Sequence, residues 1–303
     1  MSNERGSVTI LIALLAAVIL ALGLSFNWLV KEHIRSSESL RDKAEAIIKT
    51  RSAYDTFIYL MLTGQMTENK ILVAQSGITN LKSIPLDGSE VMISGGVFIR
   101  VQDSNGRLSL TTQTPDALQR LVSNETDPAR AAIFMDSFLD WIDRDDLARV
   151  NGAEAPYYRS QGFPYTQRNY DLQYMEELVL LRGVDADLYK RISPFLTIMP
   201  NTGFNPNTAG DSVLKATLSI DDSKVEKIKS YVAKKTIKTM PELVALTGKM
   251  FYLEKPEGWF TPSSYLDVIV RTGIPRSLCK ISTGLTMRSG TFYPYFIHYW
   301  QEE

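Results

Sequence analysis

The 303-residue chain has one cysteine and two histidines. Cys279 cannot close an internal disulfide by itself, and it reads as a small buried side chain in an apolar stretch. His33 and His298 stand far apart and form no zinc motif. Basic and acidic residues number 33 and 34, for a net charge of -1, so no basic field exists to gather nucleic acid or anionic lipid. No Ser/His/Asp setting, no Cys/His pairing and no glycine-rich phosphate loop is present, and nothing in the chain calls for an enzyme. Charge is also missing from Ser7 through Val30. That run of about 24 residues, at ~1.5 Å per residue, covers the ~30 Å hydrocarbon core of a bilayer. Finally, neither Gly nor Pro occurs between Gly23 and Gly64.

What is present divides the chain. Beyond Lys31, apolar Leu40, Ala44, Ile47, Ile48, Tyr54, Ile58 and Met61 recur at helical spacing. The membrane segment therefore continues as one long helix, apolar over 7–30 and amphipathic over 31–64. Residues 65–112 turn to strand patterning. Val97, Ile99 and Val101 alternate before Asp103-Ser104-Asn105-Gly106, and Leu108 and Leu110 alternate after it, which predicts a β-hairpin. The Asp-x-Asn-Gly stretch resembles the start of an EF-hand loop, but its twelfth position is Thr114, so it reads as a turn. Over 113–247 the spacing predicts helices near 116–122, 129–142, 172–181, 186–192, 211–218, 222–235 and 240–246. Phe134, Phe138 and Trp141 share one helical face and read as core. Strands return over 248–303, at 265–271, 278–288 and 292–300, separated by Gly273, Pro275, Gly284 and Ser289-Gly290. The fold class is α+β: a long amino-terminal helix packed on an antiparallel sheet, with an all-helical insert between strands.

Asp140, Asp143, Asp145 and Asp146 place four carboxylates at a helix end, where the helix dipole also disfavours negative charge, and Glu154 follows in a Gly-containing loop. Such a cluster suits a hard cation such as Ca2+, or it is a solvated helix end partly paired with Arg144 and Arg149.

A short leader, residues 1–6, ends in Gly6, and the apolar helix starts directly after it. This arrangement resembles the type IV pilin class of precursors. The resemblance implies that a prepilin peptidase cuts between Gly6 and Ser7 and methylates Ser7. Most pilins carry a glutamate at the fifth mature position, where it pairs with a neighbour's terminal amine; here that position is Leu11. A subunit with nothing stacked above it has no incoming amine, and an unpaired carboxylate at that depth is costly. The chain is further similar to the K-type minor pseudopilins of type II secretion systems at Phe138-Leu139-Asp140-Trp141-Ile142-Asp143, Gly152-Ala153-Glu154 with Tyr157-Tyr158, Glu177-Leu178 with Arg182-Gly183-Val184-Asp185, and Asn205-Pro206-Asn207-Thr208-Ala209.

That resemblance implies a structural protein of the bacterial inner membrane, single-pass, with a periplasmic globular part. It would sit at the pseudopilus tip with I-type and J-type minor pseudopilins and the other pseudopilins of the fibre, for export across the outer membrane. The family binds calcium, which implies Asp143, Asp145 and Glu154 as ligands ahead of Asp140, whose helical position suits a structural hydrogen bond. Basic Lys31, Arg35, Arg41 and Lys43 against Arg5 would by themselves place the bulk in the cytoplasm. They are interleaved with Glu32, Glu38, Asp42 and Glu45, and the family orientation is followed. The alternatives are a minor pilin of a type IV pilus, a secreted binding protein released at Ala21-Leu22-Gly23, or a DNA-binding module. The insert is similar to helix-hairpin-helix and SAM-like units, but its Ser219–Ser223 turn lacks the glycines that phosphate approach needs. No nucleic-acid partner is expected.

Overall fold

One helix organises the molecule. The computed structural model describes residues 4–74, 77–112, 115–251, 258–273, 278–287 and 292–303, with backbone alone for 4–7. Residues 1–3 of the leader, Thr114, Pro275 and Ser289-Gly290 lie outside the described residues. Helix α1, Glu4–Thr63, runs unbroken for 60 residues, about 90 Å at 1.5 Å per residue.

After α1, strands β1 (Gln65–Met66), β2 (Lys70–Leu72) and β3 (Ser83–Pro85) form a small antiparallel sheet. The main sheet has the order β10-β9-β8-β5-β4, antiparallel throughout. Strands β4 (Asp87–Ser94) and β5 (Val97–Asp103) precede the insert, whereas β8 (Tyr265–Thr272), β9 (Lys280–Met287) and β10 (Tyr295–Glu302) follow it. Asp103 and Leu266 are Cα partners across the β5–β8 ladder. The chain therefore leaves the sheet and re-enters it at adjacent points, and a self-contained insert costs the sheet no register.

Alternation along these strands puts Val97, Ile99, Val101, Leu266, Val268 and Val270 on one face, where they pack with Ala53, Tyr54, Phe57, Leu60 and Met61 of α1. Each fully buried large side chain in this layer contributes about 1.5–3 kcal/mol. Arg100, Gln102 and Asp267 fall between them in register and belong to the opposite face. Trp300 of β10 meets the Tyr54 ring edge-on at 4.9 Å, and Arg51 pairs with Glu302 at 2.9 Å. The last strand thereby seats against the same helix.

The insert contains β6 (Leu108–Ser109), α2 (Pro115–Glu125), α3 (Pro128–Ile142), α4 (Ala155–Ser160), α5 (Ala186–Ile192), β7 (Leu196–Thr197), α6 (Asp211–Leu218), α7 (Asp222–Val232) and α8 (Met240–Thr247). Local signals start these helices. Asp127 accepts the Arg130 amide ahead of Pro128, Asp185 and Asp221 cap α5 and α7 in the same way, and Gly248 ends α8 at φ 67°. Phe134, Phe138 and Trp141 are buried in a second core that is separate from the α1–sheet core. That core also takes in Leu108, Leu110 and Phe260.

Two expectations are corrected. The hairpin turn lies at Gly95-Gly96, not at Asp103–Gly106: β4 and β5 are joined there with φ of +48° and +80°, as a tight hairpin turn requires. Leu108 and Leu110 alternate because β6 pairs in parallel with β7 and feeds the helical core. The stretch 172–181 yields only a 3-10 turn, Met175–Leu180.

The two cores meet at a polar seam. Asp103, fully buried, accepts from the amides of Ser263 (2.7 Å) and Asn105 (3.0 Å), from Asn205 Nδ2 (3.0 Å) and from Thr208 Oγ1 (2.9 Å). Asn105 accepts from the Thr202 and Gly203 amides and donates to the carbonyls of Gly258 and Thr261. The Asn205–Thr208 stretch is thus the joint between insert and sheet.

Candidate functional site

The chain presents two features that its own fold leaves unsatisfied. The first is the start of α1. Every residue from Val8 to Glu45 is exposed, and burial on this helix begins at Ala46. Val8 onward is apolar enough and long enough to cross a membrane. Gly6 and Ser7 lie in the helical backbone of α1, and Leu11 is 60% exposed on the bare stretch.

The second is the loop between α3 and α4. Asp143 caps the carboxyl end of α3, its amide donating to the Leu139 carbonyl. Glu154 occupies the amino-cap position of α4, yet its side chain caps nothing. The intervening loop is folded back on α3 by two acids one turn apart. Asp136 Oδ2 accepts from the Asn151 amide (3.0 Å) and Nδ2 (2.9 Å), and Asp140 accepts from the Arg149 amide (3.1 Å) and Nη1 (2.6 Å). Arg182 holds the far side, donating to the Gly152 carbonyl at 2.9 Å and lying over the Tyr157 ring.

These clamps bring Asp143, Asp145 and Glu154 together, with one oxygen from each within 4.8 Å of the others. Asp140 does something different: it is fully buried and engaged by Arg149. Arg149 also reaches Asp143 Oδ2 at 2.5 Å, leaving Asp143 Oδ1 buried without a partner. Both oxygens of Glu154 are buried and unpartnered too. Burial, and then the charges of Asp140 and Asp143, push the Glu154 carboxyl up to about 7. A buried carboxylate with no donor is costly, and among the described residues no side-chain cation reaches it. Three carboxylates with spare oxygens at this spacing fit a hard cation with 2.3–2.6 Å oxygen bonds. No His or Cys stands in the cluster, which suits Ca2+ rather than Zn2+.

Two neighbours were not legible in the sequence. Gln167 and Asn169 donate to Asp146 Oδ1, at 3.0 and 3.2 Å, while their own carbonyl oxygens are buried and unpartnered. They lie 21 and 23 residues from Asp146, a separation with no local signature. At the helix-hairpin-helix-like turn, Ser219 takes a left-handed φ of 51°, and Asp221 occupies the Lys224 amide that a phosphate would need.

Residues 89–201 match the family described as type II secretion system (T2SS), protein K. The chain is 28% identical over 137 residues to type II secretion system protein K of Pectobacterium carotovorum subsp. carotovorum, covering 43% of this chain and 41% of that protein. With the Klebsiella pneumoniae protein of the same name it shares 36% identity over 89 residues, covering 29% and 27%. The chain thus spans less than half the length of the curated relatives it matches. One chain of the crystal structure of the GspK-GspI-GspJ complex from the enterotoxigenic Escherichia coli type 2 secretion system superposes with a TM-score of 0.58. That likeness covers 89% of this chain and 99% of the other at 16% identity, and it is one of fold.

Proposed function

We propose that this chain, whose residues 89–201 match the type II secretion system protein K family, is a minor pseudopilin placed at the tip of the pseudopilus. It is a structural part, assembled with I-type and J-type partners, and its work is packing without turnover. A relative in fold crystallised in a GspK-GspI-GspJ complex supports those partners.

The bare half of α1 carries this reading. Thirty-eight consecutive exposed residues, 8–45, bury nothing on their own domain. The first part finds its cover in the bilayer, and later in the helices of neighbouring subunits once the chain is in the fibre. The prepilin peptidase would release Ser7 as the new terminus. Leu11 leaves that terminus without the carboxylate that would require a subunit above it. The globular part would then stand in the periplasm, held off the inner membrane by the amphipathic half of the helix.

Within this reading Asp143, Asp145 and Glu154 hold Ca2+, with Asp140 and Arg149 shaping the loop around it. The ion supplies the positive charge that the buried Glu154 lacks, joining the end of α3 to the start of α4.

Co-expression of the full chain with I-type and J-type pseudopilins, extraction in mild detergent and size-exclusion chromatography test the assembly. A stable ternary complex is expected. A chain that elutes alone, under conditions where I and J associate with each other, would overturn the proposal.

A further inference from the structure

The loop that gathers the candidate cation ligands also displays two of the most exposed aliphatic side chains outside the bare helix. Val150 is 97% exposed and Leu147 is 77% exposed. Their exposure is built in. Val150 sits between Arg149 and Asn151, whose amides are tied to Asp140 and Asp136, so the loop cannot roll it inward without breaking both clamps. Leu147 follows an Asx turn in which its own amide donates to Asp145 Oδ1 at 2.9 Å. Arg144, on the same loop, is exposed and makes no ion pair among the described residues.

We infer that this loop docks on the surface of a phospholipid bilayer in a Ca2+-dependent way, Leu147 and Val150 entering the headgroup boundary while the ion and Arg144 meet lipid phosphate. The inference rests on the calcium reading given above. Ca2+ takes 6–8 oxygen ligands, and one of the three carboxylates, Asp145, is exposed, which leaves the ion an open side toward solvent. Phosphate oxygens are the hard ligands that a bilayer offers at that depth. Without the ion the loop's acids outnumber its arginines and repel an anionic surface, and the chain has no net basic charge to compensate. The ion therefore works as the switch.

The size of the patch favours lipid over protein. Two aliphatic side chains on a narrow loop fall well short of the ~800 Å² per partner of a stable protein interface, whereas entry into a headgroup boundary needs only a few side chains at a depth of ~5–10 Å. The bilayer in question is a second one. Some 16 residues, about 24 Å of helix, separate Val30 from the first packed residue, Ala46, so the globular part stands clear of the membrane that α1 enters.

The test uses the full chain in nanodiscs of zwitterionic lipid, mixed with vesicles of 30% phosphatidylglycerol and floated on a density gradient with Ca2+ or with chelator. Ca2+ binding is followed separately by Tb3+ luminescence. At least tenfold more protein should float with the vesicles in Ca2+, with little capture by purely zwitterionic vesicles. The double variant Leu147→Gln, Val150→Thr should keep the Tb3+ signal and lose capture, and Glu154→Gln should lose both. Intact Tb3+ binding with no vesicle capture overturns the docking and spares the calcium site. Equal capture of the double variant, or of zwitterionic vesicles, overturns the docking mode. Absence of any Tb3+ or Ca2+ binding removes the calcium reading and this inference with it.

Discussion

The Asp140 carboxylate fills the space that a side chain on residue 152 would need: a Cβ at Gly152 would stand 1.9 Å from Asp140 Oδ2. Gly152 is there for that approach, since its φ is not in the left-handed region and its carbonyl is held by Arg182. Gly152→Ala should push Asp140 off Arg149 and destabilise the chain by about 1–3 kcal/mol. Thermal unfolding reads the loss, and an unchanged melting temperature would show that the loop yields freely.

Calcium should stabilise the chain in a way that depends on Glu154. At a hundred times the dissociation constant, a single bound ion adds about 2.7 kcal/mol. Glu154→Gln should abolish that gain. Because burial raises the Glu154 carboxyl to about 7, its ionised form is unfavourable at neutral pH and above, so the neutral variant should be the more stable protein once Ca2+ is removed. Melting curves of both proteins at pH 8, with chelator and with millimolar Ca2+, should therefore cross over. Parallel shifts would deny a metal at Glu154.

The buried seam predicts a pH effect of its own. Burial raises Asp103 from 3.8 to about 6, against four hydrogen bonds that lower it. With the folded value above the unfolded one, its contribution to stability is complete below about pH 4 and is lost as pH rises through about 6, with a slope of up to about 1.4 kcal/mol per pH unit. Asp103→Asn should flatten that slope. Urea titrations of both proteins from pH 4 to 7 give the two slopes, and equal slopes would place the titration elsewhere.

Leu11→Glu should weaken tip assembly. An acid there costs up to about 3 kcal/mol in the membrane and finds no partner amine in a capping subunit. Recovery of the ternary complex should fall several-fold. A variant that assembles and supports secretion as well as the parent would remove the tip argument from Leu11.

The mature amino terminus should be methylated Ser7, as read by intact mass spectrometry. A terminus near Leu24 would point instead to ordinary signal cleavage after Ala21-Leu22-Gly23.

Much of this architecture was legible because its causes are local. Asp127, Asp185 and Asp221 start their helices with side chains that reach three residues ahead, and Glu242 reaches three residues back to the Thr239 amide. The strand Val97–Asp103 announces itself by alternation. The turn was misplaced because Asp-x-Asn-Gly and Gly-Gly both permit reversal, and only the partner strand chooses between them. Leu108 and Leu110 carry strand alternation in either case; their partner, Leu196–Thr197, lies about 90 residues away.

The sequence by itself determined the uncharged run long enough to cross a bilayer, the unbroken helix beyond it and the identity of the clustered acids, because these depend on composition and on contacts within a few residues. Tertiary structure alone decided that Asp140 belongs to Arg149 while Glu154 is left buried without a donor, and that Asn105 and Asn205 weld two separate cores. Desolvation and hydrogen-bond satisfaction depend on what the rest of the chain brings alongside, and no spacing along the chain encodes that.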